Sequence, residues 1–160
     1  MDNGSRPATA PARGLRHTAP RSRSDRRTRA TTGRASGAFG LCLPGAALVD
    51  LTNAVGSTSG REIDKFARYG IAAERGPILG LPVIESGCSA WLECRAIREP
   101  HTEAAYDTWF GEVVAAAADT RIFAAGRWSY RDDNKELQTI HHLGGGNFMH
   151  GGNVLVAEPL

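Results

Sequence analysis

The sequence has no stretch long and apolar enough to span a membrane. Its longest run of this kind, Val113 and Val114 followed by Ala115 to Ala118, falls far short of the roughly 20 residues a spanning helix needs, so a soluble protein is expected. There is no internal repeat. Cysteine is scarce: Cys42, Cys88 and Cys94 are an odd number and form no C-x-x-C pair. No secretory apolar core precedes them, so the expectation is a cytoplasmic protein whose reduced thiols serve as small core residues. A Cys88–Cys94 bridge or a reactive thiol is the alternative. The sequence also lacks a G-x-G-x-x-G turn between a strand and a helix, a G-x-S-x-G elbow and a P-loop. These absences remove the usual signatures of dinucleotide folds, α/β-hydrolases and P-loop enzymes.

The charge is unevenly spread. Residues 1–34 hold nine Arg, no Lys and two Asp, a net of +7, whereas residues 35–160 carry a net of −5. A nucleic-acid-binding domain would carry its basic patch on the folded surface, so neither nucleic acid nor membrane is expected as a partner. After Met1, Leu15 is the only large aliphatic residue of the first 34. Such a stretch buries too little apolar surface to offset its ordering entropy. The expected organisation is therefore a disordered Arg-rich tail over residues 1–36 and one domain over residues 37–160. The tail reads in three ways: a basic arm for nucleic acid or anionic lipid, a transit-like segment, or a sequence without a selected role.

Within the domain, a small-residue loop at residues 56–60 runs into a short amphipathic helix. Thr58 or Ser59 is the expected N-cap, and Glu62 follows Ser59 at capping-box spacing. Ile63, Phe66 and Ala67 form one apolar face, and Gly70 closes the helix. Hydroxyls, Arg61 and Lys65 around a helix start make a candidate phosphate site. Residues 38–44 read as a strand stopped by Pro44, and residues 45–55 as a helix. Pro77 and Pro82 assign residues 71–81 to a loop. Residues 89–98 form the clearest strand, with Leu92, Cys94 and Ala96 alternating with Glu93, Arg95 and Ile97, one face apolar and one mostly polar. A turn at residues 100–102 leads to an antiparallel partner strand over residues 108–118. Residues 127–137 read as a loop, and residues 153–156 as a last strand.

Two further groups bear on chemistry. His141 and His142 precede Gly144, Gly145 and Gly146, where a bare backbone can approach a flat or charged ligand. Adjacent histidines lack the i, i+4 spacing of a helical metal site. Glu93 and Glu112, on the two strands expected to pair, are candidate acid–base groups; a solvated face or a pairing with Arg95 is the structural alternative.

Four stretches in order carry a resemblance to a known family: residues 59–66 (SGREIDKF), residues 82–86 leading into 91–95 (PVIES, WLECR), residues 110–114 (FGEVV) and residues 142–148 (HLGGGNF). Together they resemble the flavin reductase-like family, in its flavoredoxin-like branch. The resemblance implies a mainly β fold with short helices, an FMN-binding split β-barrel of Greek-key type built as a homodimer. It implies an oxidoreductase that passes electrons from NADH or NADPH through FMN. Ser59, Arg61 and Lys65 match the motif assigned to the FMN phosphate or ring edge, and His142 and Phe148 match the glycine-rich segment near the ring. Two departures stand out. The proline pair, serine and arginine that relatives carry on earlier strands have no match in residues 1–34, so the implied barrel is incomplete at its N-terminal side. Cys42 stands where relatives commonly have an asparagine facing the flavin. These departures motivate the alternative of an impaired, truncated flavoprotein remnant without tight FMN binding.

Overall fold

Strands and short helices follow one another along the described residues. The computed structural model describes residues 36–152 together with Ala8, Thr9 and Ala157. In chain order the strands are β1 (Ala8–Thr9), β2 (Ala38–Pro44), β3 (Glu74–Arg75), β4 (Pro82–Val83), β5 (Cys88–Ile97), β6 (Phe110–Ala118), β7 (Phe123–Ala124), β8 (Arg127–Trp128), β9 (Ile140–Gly144) and β10 (Asn147–His150). The α-helices are α1 (Val49–Gly56), α2 (Lys65–Tyr69) and α3 (Pro100–Tyr106), and 3₁₀ turns cover Ala46–Leu48 and Asp132–Leu137. The fold is mainly β with short helices, as expected.

The main sheet runs β1-β6-β5-β2 and is antiparallel throughout. Three two-stranded ribbons, β3–β4, β7–β8 and β9–β10, accompany it, so the described residues form an open sheet with ribbons and not a closed barrel. Trp91 anchors the core with Val83, Ala115 and Ala117, and Cys42 packs against this cluster. Directly across from Trp91 stand Cys42 on one side and Ala117 on the other. Small partners on both neighbouring strands leave room for the indole.

Strand β5 corrects the expected split into an apolar and a polar face. It is an inner strand of the sheet, and Glu93 is 0% exposed while Leu92 is only half-buried. The pairing steps from Glu93↔Ala115 to Cys94↔Val113, leaving Val114 as an extra residue in a β-bulge. Glu93, on the face read as polar, is roofed by the loop at residues 76–81, a long-range contact that period-two reasoning does not contain, while Arg95 on the same face stays exposed. The Glu112 side of the expectation holds: Glu112 lies exposed and faces Arg95 at 3.4 Å.

The expected turn at residues 100–102 is instead the start of α3. Pro100 occupies the first helical turn, where its missing N–H costs nothing and its fixed φ suits a helix. Buried Glu103 accepts from Arg98 Nε at 2.9 Å and Nη2 at 3.1 Å, and the Arg98 guanidinium sits 5.9 Å from the centre of the Trp109 ring. Residues 127–137, read as a loop, contain β8 and a 3₁₀ turn held by Asn134, whose side chain bridges the Arg131 N–H, the Arg121 carbonyl and the Ser129 carbonyl. The expected strand at residues 153–156 and, Ala8, Thr9 and Ser36 apart, the expected tail lie outside the described residues. Among the described residues no helix is long and apolar enough to cross a membrane.

Candidate functional site

Helix α1 ends at Gly56, and its last carbonyls need partners that the helix cannot supply. Three side chains from downstream provide them. Thr58 Oγ1 donates to the Ala54 carbonyl and lies 2.6 Å from the Tyr69 hydroxyl, and Lys65 Nζ donates to the Val55 carbonyl at 2.5 Å. A cation at this end of a helix also complements its dipole. Lys65, expected at a phosphate, is thus tied to the end of α1 while keeping two further N–H groups.

The expected helix start moves by several residues. Ser59 organises a turn, not a helix: its carbonyl receives the Glu62 N–H at 3.1 Å and its Oγ receives the Arg61 N–H at 3.3 Å. The cap of α2 is Asp64, whose Oδ1 accepts from Phe66 N at 2.9 Å and Ala67 N at 3.2 Å. Asp64 wins because its carboxylate reaches two successive N–H groups at the helix start. Gly70 closes α2 in the left-handed region, φ 61°, as expected. Of the expected apolar face, Ile63 is half-buried while Phe66 and Ala67 are exposed. The guanidinium of Arg61 is exposed and, among the described residues, forms no ion pair.

The second expected stretch forms the β9–β10 hairpin. His142 and Phe148 are register partners, their rings 4.8 Å apart and tilted by 38°. The connection uses Gly144, Gly145 and Gly146 at φ 101°, 58° and 78°, values that side-chain-bearing residues rarely adopt. Asn147 Nδ2 closes the turn on the Gly144 carbonyl at 3.1 Å. At the hairpin tip, Gly146 passes alongside Asn53 of α1: a Cβ there would lie 3.7 Å from Asn53 Oδ1. Lys65 therefore meets the end of α1, Ser59 and Arg61 lie in the turn that follows it, and the glycine tip of the hairpin bearing His142 and Phe148 passes Asn53. Asn53 is the α1 residue beside the hairpin tip that sequence reasoning missed, since nothing local in residues 45–55 marks it.

Glu93, considered as an acid–base group, is a structural anion. Its carboxylate accepts from Ile78 N at 2.9 Å, Leu79 N at 3.1 Å and Leu81 N at 3.0 Å. Burial pushes this carboxyl up, but the backbone hydrogen bonds outweigh it and hold it below the usual carboxylate range. Gly76 is required where it stands, because a Cβ would run into the same carboxylate.

A cavity of about 260 Å³ lies apart from the five expected residues, lined by Glu85, Cys88, Ala90, Trp91 and residues 117–121. Arg121 in its wall is bound to both carboxylate oxygens of Asp119 and to Glu136. That hydrogen-bonded Arg121 guanidinium holds the Asp119 carboxyl below its usual range. The buried Trp91 Nε1 has no hydrogen-bond partner among the described residues.

This chain belongs to the flavin reductase like domain family, which it matches over residues 23–134. The match takes in Ser59, Arg61 and Lys65, while His142 and Phe148 lie beyond it. The protein YddH of Escherichia coli K12 is 51% identical over 122 residues, 76% of this chain and 64% of YddH. The chain thus spans under two thirds of that relative's length. The FMN-binding domain of a flavin reductases-like enzyme from Shewanella baltica OS155 superposes with a TM-score of 0.81 at 30% identity, covering 91% of this chain and 78% of that one. Flavoredoxin of Desulfovibrio vulgaris (Miyazaki F) shares the fold, with a TM-score of 0.69 at 19% identity over 89% of this chain and 73% of its own.

Proposed function

We propose that this chain binds FMN and works as an oxidoreductase of the flavin reductase type, with NADH or NADPH as the electron donor. The observation that carries the reading is the arrangement around α1. An arginine that is exposed and forms no ion pair among the described residues, and a serine hydroxyl, lie in the turn after the helix, and the glycine tip of the hairpin carrying the histidine–phenylalanine pair passes the helix at Asn53. When bound, FMN supplies the redox chemistry; the protein supplies binding and orientation. Arg61 is suited to pair with the FMN phosphate and Ser59 to donate its hydroxyl proton to it. Lys65 fixes the end of α1 and offers its remaining N–H groups to the same anion. His142 and Phe148 offer a flat, half-open surface to the ring system, with Gly144 to Gly146 keeping side chains out of its way. The reading includes a homodimer, which the family resemblance implies and which would cover the exposed Leu143 and Met149 of the hairpin. It also includes a cytoplasmic location, with which the three free cysteines agree.

The test is an absorption spectrum of the purified protein, before and after addition of FMN and removal of the excess. A retained flavin band that NADH or NADPH bleaches without oxygen supports the reading. A protein that stays colourless and retains no FMN overturns it and leaves the alternative of an impaired flavoprotein remnant.

A further inference from the structure

The flavin reading leaves the cysteines unused, and two of them meet. Cys42 lies on β2 opposite Trp91, and Cys88 lies on β5 opposite Pro44. Cys42 and Pro44 share a face of β2, so Cys88 is the diagonal neighbour of Cys42 on that face. The pairing skips Ser89 between Leu43↔Ala90 and Pro44↔Cys88, which marks a bulge at this point. The turn leading into β5 closes on the same sulfur: Ile84 N–H donates to Cys42 Sγ at 3.4 Å, and Cys88 N–H returns to the Glu85 carbonyl at 3.3 Å. The neighbouring Cys42 pushes the Cys88 thiol up. Cys42 is half-buried, and Cys88, 4% exposed, forms part of the wall of the 260 Å³ cavity. Cys94 sits elsewhere on β5, opposite Phe39 and Val113, and is 2% exposed. All three cysteines are free thiols, and the neighbour of Cys88 across the sheet is Cys42, not the Cys94 considered as its bridge partner from sequence.

We propose that Cys42 and Cys88 form a dithiol that hydrogen peroxide converts to a reversible disulfide. Cys42 is the attacking sulfur, because it is the more exposed and receives a hydrogen bond from Ile84 N–H. Its thiolate attacks one peroxide oxygen, the O–O bond breaks, and the departing hydroxide takes a proton to become water. Cys42 is left as a sulfenic acid. The Cys88 sulfur then attacks the Cys42 sulfur, the S–O bond breaks, and the hydroxyl leaves with the Cys88 proton as a second water. Two thiols lose two electrons and two protons, and one peroxide becomes two waters. The neighbouring Cys42 and burial both push the Cys88 thiol up, so Cys88 keeps its proton until this second step. The cavity wall includes Cys88 and not Cys42, so peroxide meets Cys42 through that residue's own partial exposure on β2.

The test uses the full chain, reduced, freed of reductant and exposed to hydrogen peroxide. The remaining thiols are alkylated under denaturing conditions, and the linked peptides are identified by mass spectrometry. One alkylated cysteine, Cys94, with a Cys42–Cys88 cross-link that dithiothreitol removes, is the expected result. The Cys94→Ser variant should keep the cross-link, and Cys42→Ser and Cys88→Ser should each lose it. Three alkylated cysteines after peroxide, a link that includes Cys94, or a sulfinic acid without a link overturns the proposal. The mapping of the unmutated chain decides the matter even where a variant fails to fold.

Discussion

At Glu93 the chain folds a loop over a charge, and at Arg61 it leaves one open. The Glu93 carboxylate, sealed above the central sheet, meets the N–H groups of Ile78, Leu79 and Leu81. The Arg61 guanidinium, on a turn beyond α1, is exposed and makes no ion pair among the described residues. The first charge is spent entirely on holding the chain together, since an ion removed from water must find full compensation from fixed dipoles. The second remains solvated and costs the fold nothing, so it is free to meet an anion. Burial thus separates the charge that builds from the charge that is proposed to bind.

The sharpest way to break this contrast is Glu93→Gln. It leaves several buried N–H groups facing a weaker acceptor and an amide that also donates, and should lower unfolding free energy by about 3 kcal/mol, read as a drop in the urea midpoint. Its pH signature follows from the direction of the shift. The folded state holds this carboxyl below the unfolded value, so its contribution is complete above the unfolded carboxylate range and is lost as pH falls through that range toward the folded value. Acid-induced loss of stability should therefore be shallower in the variant than in the unmutated protein. Next in size is Gly76→Ala, where the added Cβ meets the Glu93 carboxylate; a loss of about 1–3 kcal/mol in the same unfolding measurement is expected. Arg61→Ala should behave in the opposite manner. Its unfolding midpoint should stay in place while FMN affinity, measured by titration, falls about tenfold, the equivalent of one charge-assisted hydrogen bond. The smallest effect belongs to Arg95→Ala, whose exposed partner Glu112 stands at 3.4 Å; denaturation should shift by under about 0.5 kcal/mol.

Much of this arrangement was legible in the chain, and the failures share a cause. Pro44 ends β2 where it was expected to, and Gly70 closes α2, because both residues act through their own backbone. The antiparallel pairing of β5 with β6 follows from two long β-rich runs separated by a short connection. The start of α2 was misplaced because Ser59 and Asp64 are both competent caps, and only the three-dimensional path of the turn selects between them. Pro100 was read as punctuation when it is a helix opener, since the same fixed φ serves either end of a loop. Glu93 was seen as half of a polar face because nothing within β5 announces that residues 76–81 will cover it. In the candidate site, the three glycines and the hydroxyl-rich loop were visible as local signals. Their meeting at α1, and the part of Asn53 in it, depends on contacts between segments nearly a hundred residues apart.

The tryptophans give the molecule an optical character of its own. Trp91 is buried with an indole N–H that finds no acceptor among the described residues, Trp109 is buried beneath the Arg98 guanidinium, and Trp128 is half-exposed between Phe123, at 4.9 Å, and the nearly parallel ring of Tyr130, at 6.3 Å. An indole in a dry, unbonded setting emits at shorter wavelength than one in contact with water. The native emission is therefore a sum of unlike colours: a blue contribution from the core of the sheet and a red, quencher-accessible one from the β7–β8 ribbon. Loosening of the sheet and loosening of the ribbon should be separately visible in one spectrum, without any label being added.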